Sequence, residues 1–553
     1  MRPLLLLATV SSLLVSSCFA PGDGQAPPLE GLYFPTGVAL DQALNTKGES
    51  RYLYVASSDF DLQYRSSGLI SYDLDRLREA VPKSCLSNAD CDGEVCDVGA
   101  TQANGQVPSF FCVASDGAPC GKLGNRGAAD QLLNPGRCNS IDPVTPQDGR
   151  GTLIHDSVGI GAFATDVIYR PFPPNPVDPP SKPGDLLPGR LFLPVRGDAT
   201  LHWIDLLDGK FQCGQEDNPD HACNDAHRAG NEPDVNNNNL RQPSEPFGVD
   251  VTEGGTYLAV TNQTTGNVSL YRNDWSPLGG PTLVSILNGL PQAPVGIAAV
   301  PELPGETGAG FLVTYRDAAQ IDLLRVRSED PGIGSPTVPQ RFALTLAGTS
   351  AINANSVGFD SRGIVIDSKQ RSQSYEACAA LKGCSAGDVD CQACAKAAPQ
   401  ANVYVANRTP SSLLVGALTA DGSYSDGSND FPSFTDSIAL TSGPSRVVLG
   451  DVTVTPYVDS FGQTVEHERR VFVVCFDSRR IFVWDPKRHM IESIINTGRG
   501  PFALVIDSAR ALAYLAHFTD SYLGVISLDQ RFPQTYATIV ASIGNPTPPR
   551  TSK

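Results

Sequence analysis

Histidine, methionine and tryptophan are scarce in this chain of 553 residues, which holds seven, two and three of them. Only His221 and His227 lie at a spacing that suits a shared metal, so a histidine-built metal centre has little to work with. Those two flank Cys223 in the polar loop DHACNDAH, where a Cys213–Cys223 staple with solvated histidines is the plainer reading. Catalytic signatures are missing too. There is no Gly-x-Ser-x-Gly elbow, no His-Glu-x-x-His and no phosphate loop, so no catalytic residue is assigned and the sequence leans against an enzyme. Basic charge is also short: 41 Lys and Arg stand against 59 Asp and Glu, a net charge of -18. That balance excludes sequence-independent nucleic-acid binding, which needs clustered cations facing phosphates. It also disfavours a peripheral site on anionic lipid. The apolar run Leu4–Val15 is too short to span a bilayer.

What is present begins with residues 1–17, a signal peptide in pattern: Arg2, the apolar run, then Ser16 and Ser17 before Cys18. Val15-Ser16-Ser17-Cys18 resembles the lipobox of bacterial lipoproteins. The resemblance implies cleavage before Cys18 and acylation of that cysteine, with an ordinary signal peptide and a stray cysteine as the alternative. Several acyl chains would tether the protein stably, where one alone binds marginally. Phe19 stands where the Asp of inner-membrane retention would be, so an outer-membrane address is expected, on the periplasmic side or the cell surface. Residues 18–32 form the lipidated cysteine and a Gly/Pro-containing spacer.

Thirteen further cysteines fall into even local groups apart from Cys475: six at Cys85, Cys91, Cys96, Cys112, Cys120 and Cys138, two at Cys213 and Cys223, and four at Cys378, Cys384, Cys391 and Cys394. Such groups in an exported chain read as disulfides. The 81–151 insertion has few apolar residues and needs staples to fold; it resembles small modules of the EGF or dickkopf type, with zinc as a rival that lacks histidines. The 367–401 insertion reads as two short helices around a Gly/Asp turn pinned by two disulfides, against redox exchange or a four-cysteine zinc site. Cys475, inside VFVVCF, reads as a buried free thiol.

The rest of the chain repeats. Seven starters, FPTGVALD, FATDVIY, EPFGVDV, APVGIAAV, ANSVGFD, GPSRVVLGD and GPFALVID, each precede paired alternating runs such as TYLAVTNQTTGNVSLYR and NVYVANRTPSSLLVGAL. Period-2 alternation rich in Val, Ile, Phe and Tyr marks strands. YVAN at Tyr404 and AVTN at Ala259 resemble the YVTN-type repeats of bacterial β-propellers. The resemblance implies an all-β fold, a seven-bladed β-propeller over 33–545 with disulfide-stapled loop insertions on one face and a tail at 546–553. Ring closure would bury the faces of each blade against its neighbours; a β-sandwich or a linear β-solenoid is the alternative. The turns between second and third strands are short in almost every copy, whereas additions fall at 171–189, 367–401 and 452–470 between first and second strands, and at 81–151 and 210–243 after a third.

Polar residues recur where the second strand meets its turn: Arg196, Asn262, Arg316, Arg408 and, one position off, His517. They are the candidate binding residues, able to converge near a channel mouth and hold a carboxylate or other anion. The plainer alternative pairs them with Asp198, Asp317 and Asp520. No cofactor is expected, calcium excepted, because aspartates near Asn236–Asn239 could hold it loosely. The expected function is a non-catalytic, lipid-anchored cell-envelope scaffold that binds a protein or an envelope polymer, touching the membrane only through its anchor. The alternative is an exported propeller enzyme resembling lactonases or quinoprotein dehydrogenases. The oligomeric state is not legible.

Overall fold

The alternating runs form strands that pair within each repeat, and the computed structural model assembles them into seven four-stranded antiparallel sheets. The structure describes residues 24–42, 49–91, 93–98, 110–113, 139–146, 151–173, 189–231, 240–276, 279–303, 309–329, 341–352, 358–384, 388–419, 431–459 and 462–547. Blade one comprises Pro35–Leu40, Tyr52–Ser57, Ser67–Asp73 and Ile154–Ile160. Blade two comprises Ile168–Pro171, Gly189–Val195, Thr200–Leu207 and Lys210–Gln212. Blade three runs through Pro246–Val251, Tyr257–Asn262, Asn267–Asn273 and Pro281–Leu287, and blade four through Pro294–Ala299, Gly310–Tyr315, Gln320–Glu329 and Arg341–Ala351. Blade five is Phe359–Asp367, Asn402–Thr409, Ser411–Thr419 and Phe431–Ala439. Blade six is Pro444–Val458, Thr464–Cys475, Arg480–Asp485 and Met490–Asn496, and blade seven is Pro501–Asp507, Leu512–His517, Tyr522–Ser527 and Thr538–Ile543. The four strands are called A to D outward from the centre, where the A strands of neighbouring blades meet.

Packing follows from this order. Strand B lies between two neighbouring blades, so it is buried on both faces: every residue of Tyr52–Ser57, Gly189–Val195, Gly310–Tyr315 and Leu512–His517 is buried. The expected half-buried alternation belongs instead to the outer strand Ser411–Thr419, where buried Leu414, Gly416 and Leu418 alternate with half-buried Val415, Ala417 and Thr419. Among the described residues seven apolar clusters form, one for each pair of neighbouring blades, from Tyr54 against Leu191 between blades one and two to Val38 against Ala503 between one and seven.

A left-handed residue enters strand A in all seven blades: Phe34, Phe163, Glu245, Ala293, Asp360, Gly443 and Gly500, with φ from 52° to 84°. It fixes the phase of each repeat and corrects one starter. In blade five the pattern Ser-x-Gly-apolar occurs twice, at Ser356–Phe359 and at Ser361–Ile364. The strand uses the second, because only that frame pairs Ile364 with Val405 and Ile366 with Val403.

Two further expectations change. The 452–470 stretch is no loop: strands A and B of blade six continue as a hairpin to the Val458–Thr464 pair. The 210–243 stretch follows the third strand, Thr200–Leu207, as expected, but it is not all loop, since it opens with strand D. That strand stops at Gln212 and resumes with Arg228–Ala229 on the same strand C, the excursion being closed by Cys213–Cys223. The described parts of the 81–151 and 367–401 additions lie on a C–D and an A–B connection, which share one face.

Blade one's strand C runs into α1 (Leu74–Ala80), where Asp73 caps the N-terminus by accepting from the backbone N–H of Asp75 and Arg76. In its insertion Cys85 pairs with Cys96 and Cys91 with Cys112. The sulfurs of Cys85, Cys91 and Cys112 cluster because these bridges are adjacent, an arrangement of staples. Cys120 and Cys138 lie outside the described residues, as do Cys18 and Asn236–Asn239. In blade five α2 (Lys369–Lys382) and α3 (Val389–Ala397) form the expected hairpin, closed by Cys378–Cys394 and Cys384–Cys391. Cys475 is a buried free thiol. No helix among the described residues is long and apolar enough to cross a membrane.

Among the described residues the four strands of blade one and the four of blade seven each come from one stretch of chain. Blade one is held to blade seven by their shared apolar cluster and by Arg510, which reaches the Ser50 carbonyl and Asp75. Ser140–Ile141, returning from the insertion of blade one, adds a parallel fifth strand to the outer edge of blade seven.

Blade one also carries two buried carboxyls, Asp41 and Asp59, that loss of solvent pushes up to about 7. The folded chain therefore binds more protons there than the unfolded chain, whose Asp titrates near ~3.9, and stability falls as pH rises from about 4 to about 7. Replacing both by Asn is expected to raise Tm by a few degrees at pH 8 and to leave it unchanged at pH 4. Calorimetry at the two pH values checks this, and an equal shift at both would refute it.

Candidate active site at the channel mouth

The left-handed residues and the B–C turns ring one end of the central channel, opposite the decorated face. Three residues after each left-handed position stand Gly37, Asp166, Gly248, Gly296, Gly363, Arg446 and Ala503. The small residues are required by close approach: a Cβ on Gly248 would lie 2.3 Å from the Val295 carbonyl, and one on Gly296 2.5 Å from that of Arg362. At the two exceptions the side chains reach over the channel and pair. Arg446 of blade six places Nη1 2.6 Å from Asp166 Oδ2, at the entry of blade two. The same guanidinium lies 5.4 Å over the Phe502 ring. The pair lines a cavity of about 100 Å³ together with Phe247, Gly248, Gly296, Arg362 and Gly363.

One side of the mouth is charged. Asp360 is met by three guanidiniums: Arg362 at 3.1 Å, Arg316 at 3.7 Å and Arg408 at 3.9 Å. Arg408 also pairs with Asp477. Arg196 donates to Glu245 at 2.7 Å, while its buried Nε has no hydrogen-bond partner. Hydrogen bonds from Thr264 and Arg196 hold the Glu245 carboxyl below its usual range.

The other side is aromatic. Phe60 sits 6.1 Å from Phe163, 6.2 Å from Phe34 and 5.4 Å from Phe518. The row continues from Phe518 to Phe502 at 5.8 Å and on to Phe476 at 6.5 Å.

Of the residues singled out from sequence, Arg316 and Arg408 come together on Asp360, and Arg196 holds the equivalent rim position of blade two, on Glu245. Their acidic partners are Glu245, Asp360 and Asp477, the first two at the entry of the next blade, not the Asp198, Asp317 and Asp520 of the plainer alternative. Asp198 bonds Thr200 and His202 instead, and Asp520 pairs with Arg499. Asn262 and His517 occupy the last residue of strand B, one position before the arginines, and are fully buried. Asn262 donates to Ser269 Oγ at 3.0 Å. His517 stacks on Tyr522 with ring centres 4.0 Å apart, and burial drives its imidazole down to about 3, so it is neutral. Sequence reasoning missed Asp166, Arg446 and the phenylalanines.

No family model matches the chain, and no curated protein matches it. Solved structures do. A periplasmic gluconolactonase of Pseudomonas aeruginosa is 11% identical, with 85% of this chain and 86% of that one covered, at a TM-score of 0.39. A protein of Bacteroides uniformis assigned as a 6-phosphogluconolactonase is 10% identical over 84% and 86%, at 0.40. A similarly assigned protein of Bacteroides fragilis is 9% identical over 85% and 86%, at 0.37. The non-catalytic scaffold expected from the sequence is corrected to this extent: these three neighbours carry the names of lactonases, not of binding scaffolds. Identities this low speak of the fold alone; the chemistry below rests on the mouth's own side chains.

Proposed function

We propose that the protein is an exported hydrolase that opens a lactone or comparable ester at the channel mouth. The observation that carries this reading is the Arg446–Asp166 pair at the floor of the mouth, 2.6 Å apart beneath the arginine rim. A carbonyl oxygen lodged against Arg446 and Arg362 accepts their N–H groups and gains negative charge as water adds to the carbon. Fixed donors aimed at such a developing oxyanion are the largest common source of rate enhancement. Asp166 takes the proton of the attacking water and returns it to the ring oxygen as the C–O bond breaks, so that lactone plus water yields a hydroxy acid. Arg196, Arg316 and Arg408 bind the carboxylate so formed or another anionic group of the substrate.

The repeats are read as YVTN-type and Val15–Cys18 as a lipobox, which tethers the hydrolase to the outer membrane through Cys18. Acid release from δ-valerolactone, followed by pH-stat, is expected above the spontaneous rate with purified protein; a rate equal to the blank removes the hydrolase. For the anchor, Cys18→Ser is expected to move the protein from the membrane fraction to the soluble one, and retention on membranes counts against lipidation.

A further inference from the structure

We infer that the mouth takes an amphiphile, a molecule with an apolar acyl or aryl group beside its polar reacting end, and that Phe60 selects for it. The inference deepens the hydrolase reading and rests on it for the reaction, though not for binding. Its basis is the division of the mouth into a phenylalanine arc and an arginine arc, joined at Arg446, which lies over Phe502 and lines one cavity with Arg362.

The phenylalanine arc is not explained by the core. None of Phe60, Phe163, Phe476 and Phe518 belongs to an inter-blade cluster of buried residues. Phe60 is 55% exposed and its loop neighbour Leu62 is 64% exposed. These two lie on residues 58–66, the B–C connection of blade one, which is much longer than the single residue or four-residue turns of the other blades. The extra length lays Phe60 inward across Phe34, Phe163 and Phe518, at the expense of leaving an aromatic face in water. Contiguous exposed apolar surface on a rigid scaffold marks a binding site.

The facing arc states which end goes where. Arg446 is held over Phe502 and bonded to Asp166, so a ligand whose apolar part lies on Phe60, Phe518 and Phe502 brings its next polar atoms to Arg446 and Arg362. Guanidiniums favour a carboxylate, sulfonate or polarised carbonyl there. A wholly polar sugar lactone would leave the phenylalanines wet, and a wholly apolar molecule would strip water from five arginines without replacing it.

Two probes test this. Fluorescence titration with 1-anilinonaphthalene-8-sulfonate, an aryl anion, is expected to show one saturable site, weakened at least tenfold by Phe60→Ser and by Arg362→Gln. Phe60 lies outside the blade core, so the variant should keep the parent's Tm, which verifies that it folds. In the hydrolysis assay kcat/KM for δ-dodecalactone should exceed that for δ-valerolactone at least tenfold, since each buried methylene favours binding, and Phe60→Ser should collapse the ratio. Saturable, Phe60-dependent probe binding with neither lactone hydrolysed supports the amphiphile site and removes the hydrolase. Equal rates on both lactones, unchanged in Phe60→Ser, overturn the inference and leave the hydrolase standing. Absence of saturable probe binding also overturns it.

Discussion

Arg190→Ala is expected to destabilise the ring by about 3–5 kcal/mol, the range for removing one partner of a buried ion pair. The side chain of Arg190 is fully buried at the start of strand B of blade two, and every donor on it is used. Nε lies 2.6 Å from Asp205, Nη1 serves Asn273 and the Asp274 carbonyl, and Nη2 serves Asp205 and the Gly279 carbonyl. Three aromatic rings surround the guanidinium: Trp203 at 4.4 Å, Trp275 at 5.2 Å and Phe172 at 5.4 Å. Alanine leaves a carboxylate, the Asn273 amide oxygen and two backbone carbonyls without their donor, together with a cavity between blades two and three. Lysine cannot reproduce a planar fork stacked on rings, so Arg190→Lys should recover less than half of the loss. Denaturant unfolding measures both, and a midpoint within error of the parent for Arg190→Ala would show that the rings alone sustain this interface.

The second large effect is expected in activity. Arg446→Ala should lower kcat on δ-valerolactone by about 10²–10³-fold, as loss of one oxyanion donor does. Asp166→Asn should cost a similar factor. Arg196→Ala, at the rim, should raise KM with kcat nearly unchanged. Loss of the tie between blades two and six is controlled by Tm. A kcat for Arg446→Ala within threefold of the parent would remove this residue from the reaction.

Much of the scaffold was legible because its cause is local. A left-handed turn residue and an alternating run recur in one chain segment per blade, with Pro after the turn residue in five blades and a close-packed Gly in four, and the segments align. Blade five shows the limit: two Ser-x-Gly frames five residues apart satisfy the same local pattern, and only pairing with strand B chooses between them. The floor of the mouth was illegible for a related reason. Asp166 and Arg446 are ordinary charges in sequence, and become a pair because five of seven equivalent positions carry Gly or Ala and leave the space between them empty. The phenylalanine arc had a signal that went unread. Phe34 and Phe163 share one column of the repeat, Phe476 and Phe518 another, and the second is the column that holds Arg196, Arg316 and Arg408. Reading that column for charge alone found the arginines and passed over the rings.

The way the ring closes also sets the order in which it folds. Each blade completes its four strands from its own stretch of chain, so blades can form one after another. The seam is different: Phe34 N–H meets Ser521 Oγ across 487 residues, Arg510 meets the Ser50 carbonyl across 460, and Asn139 meets the Val540 carbonyl across 401. Loop closure over such lengths adds little free energy, about 0.6 kcal/mol per doubling, yet non-local contacts form late. Blade one therefore waits with one face uncovered until the last blade arrives, and the Cys-stapled insertion that carries Ser140 and Ile141 puts the latch in place before there is anything to fasten.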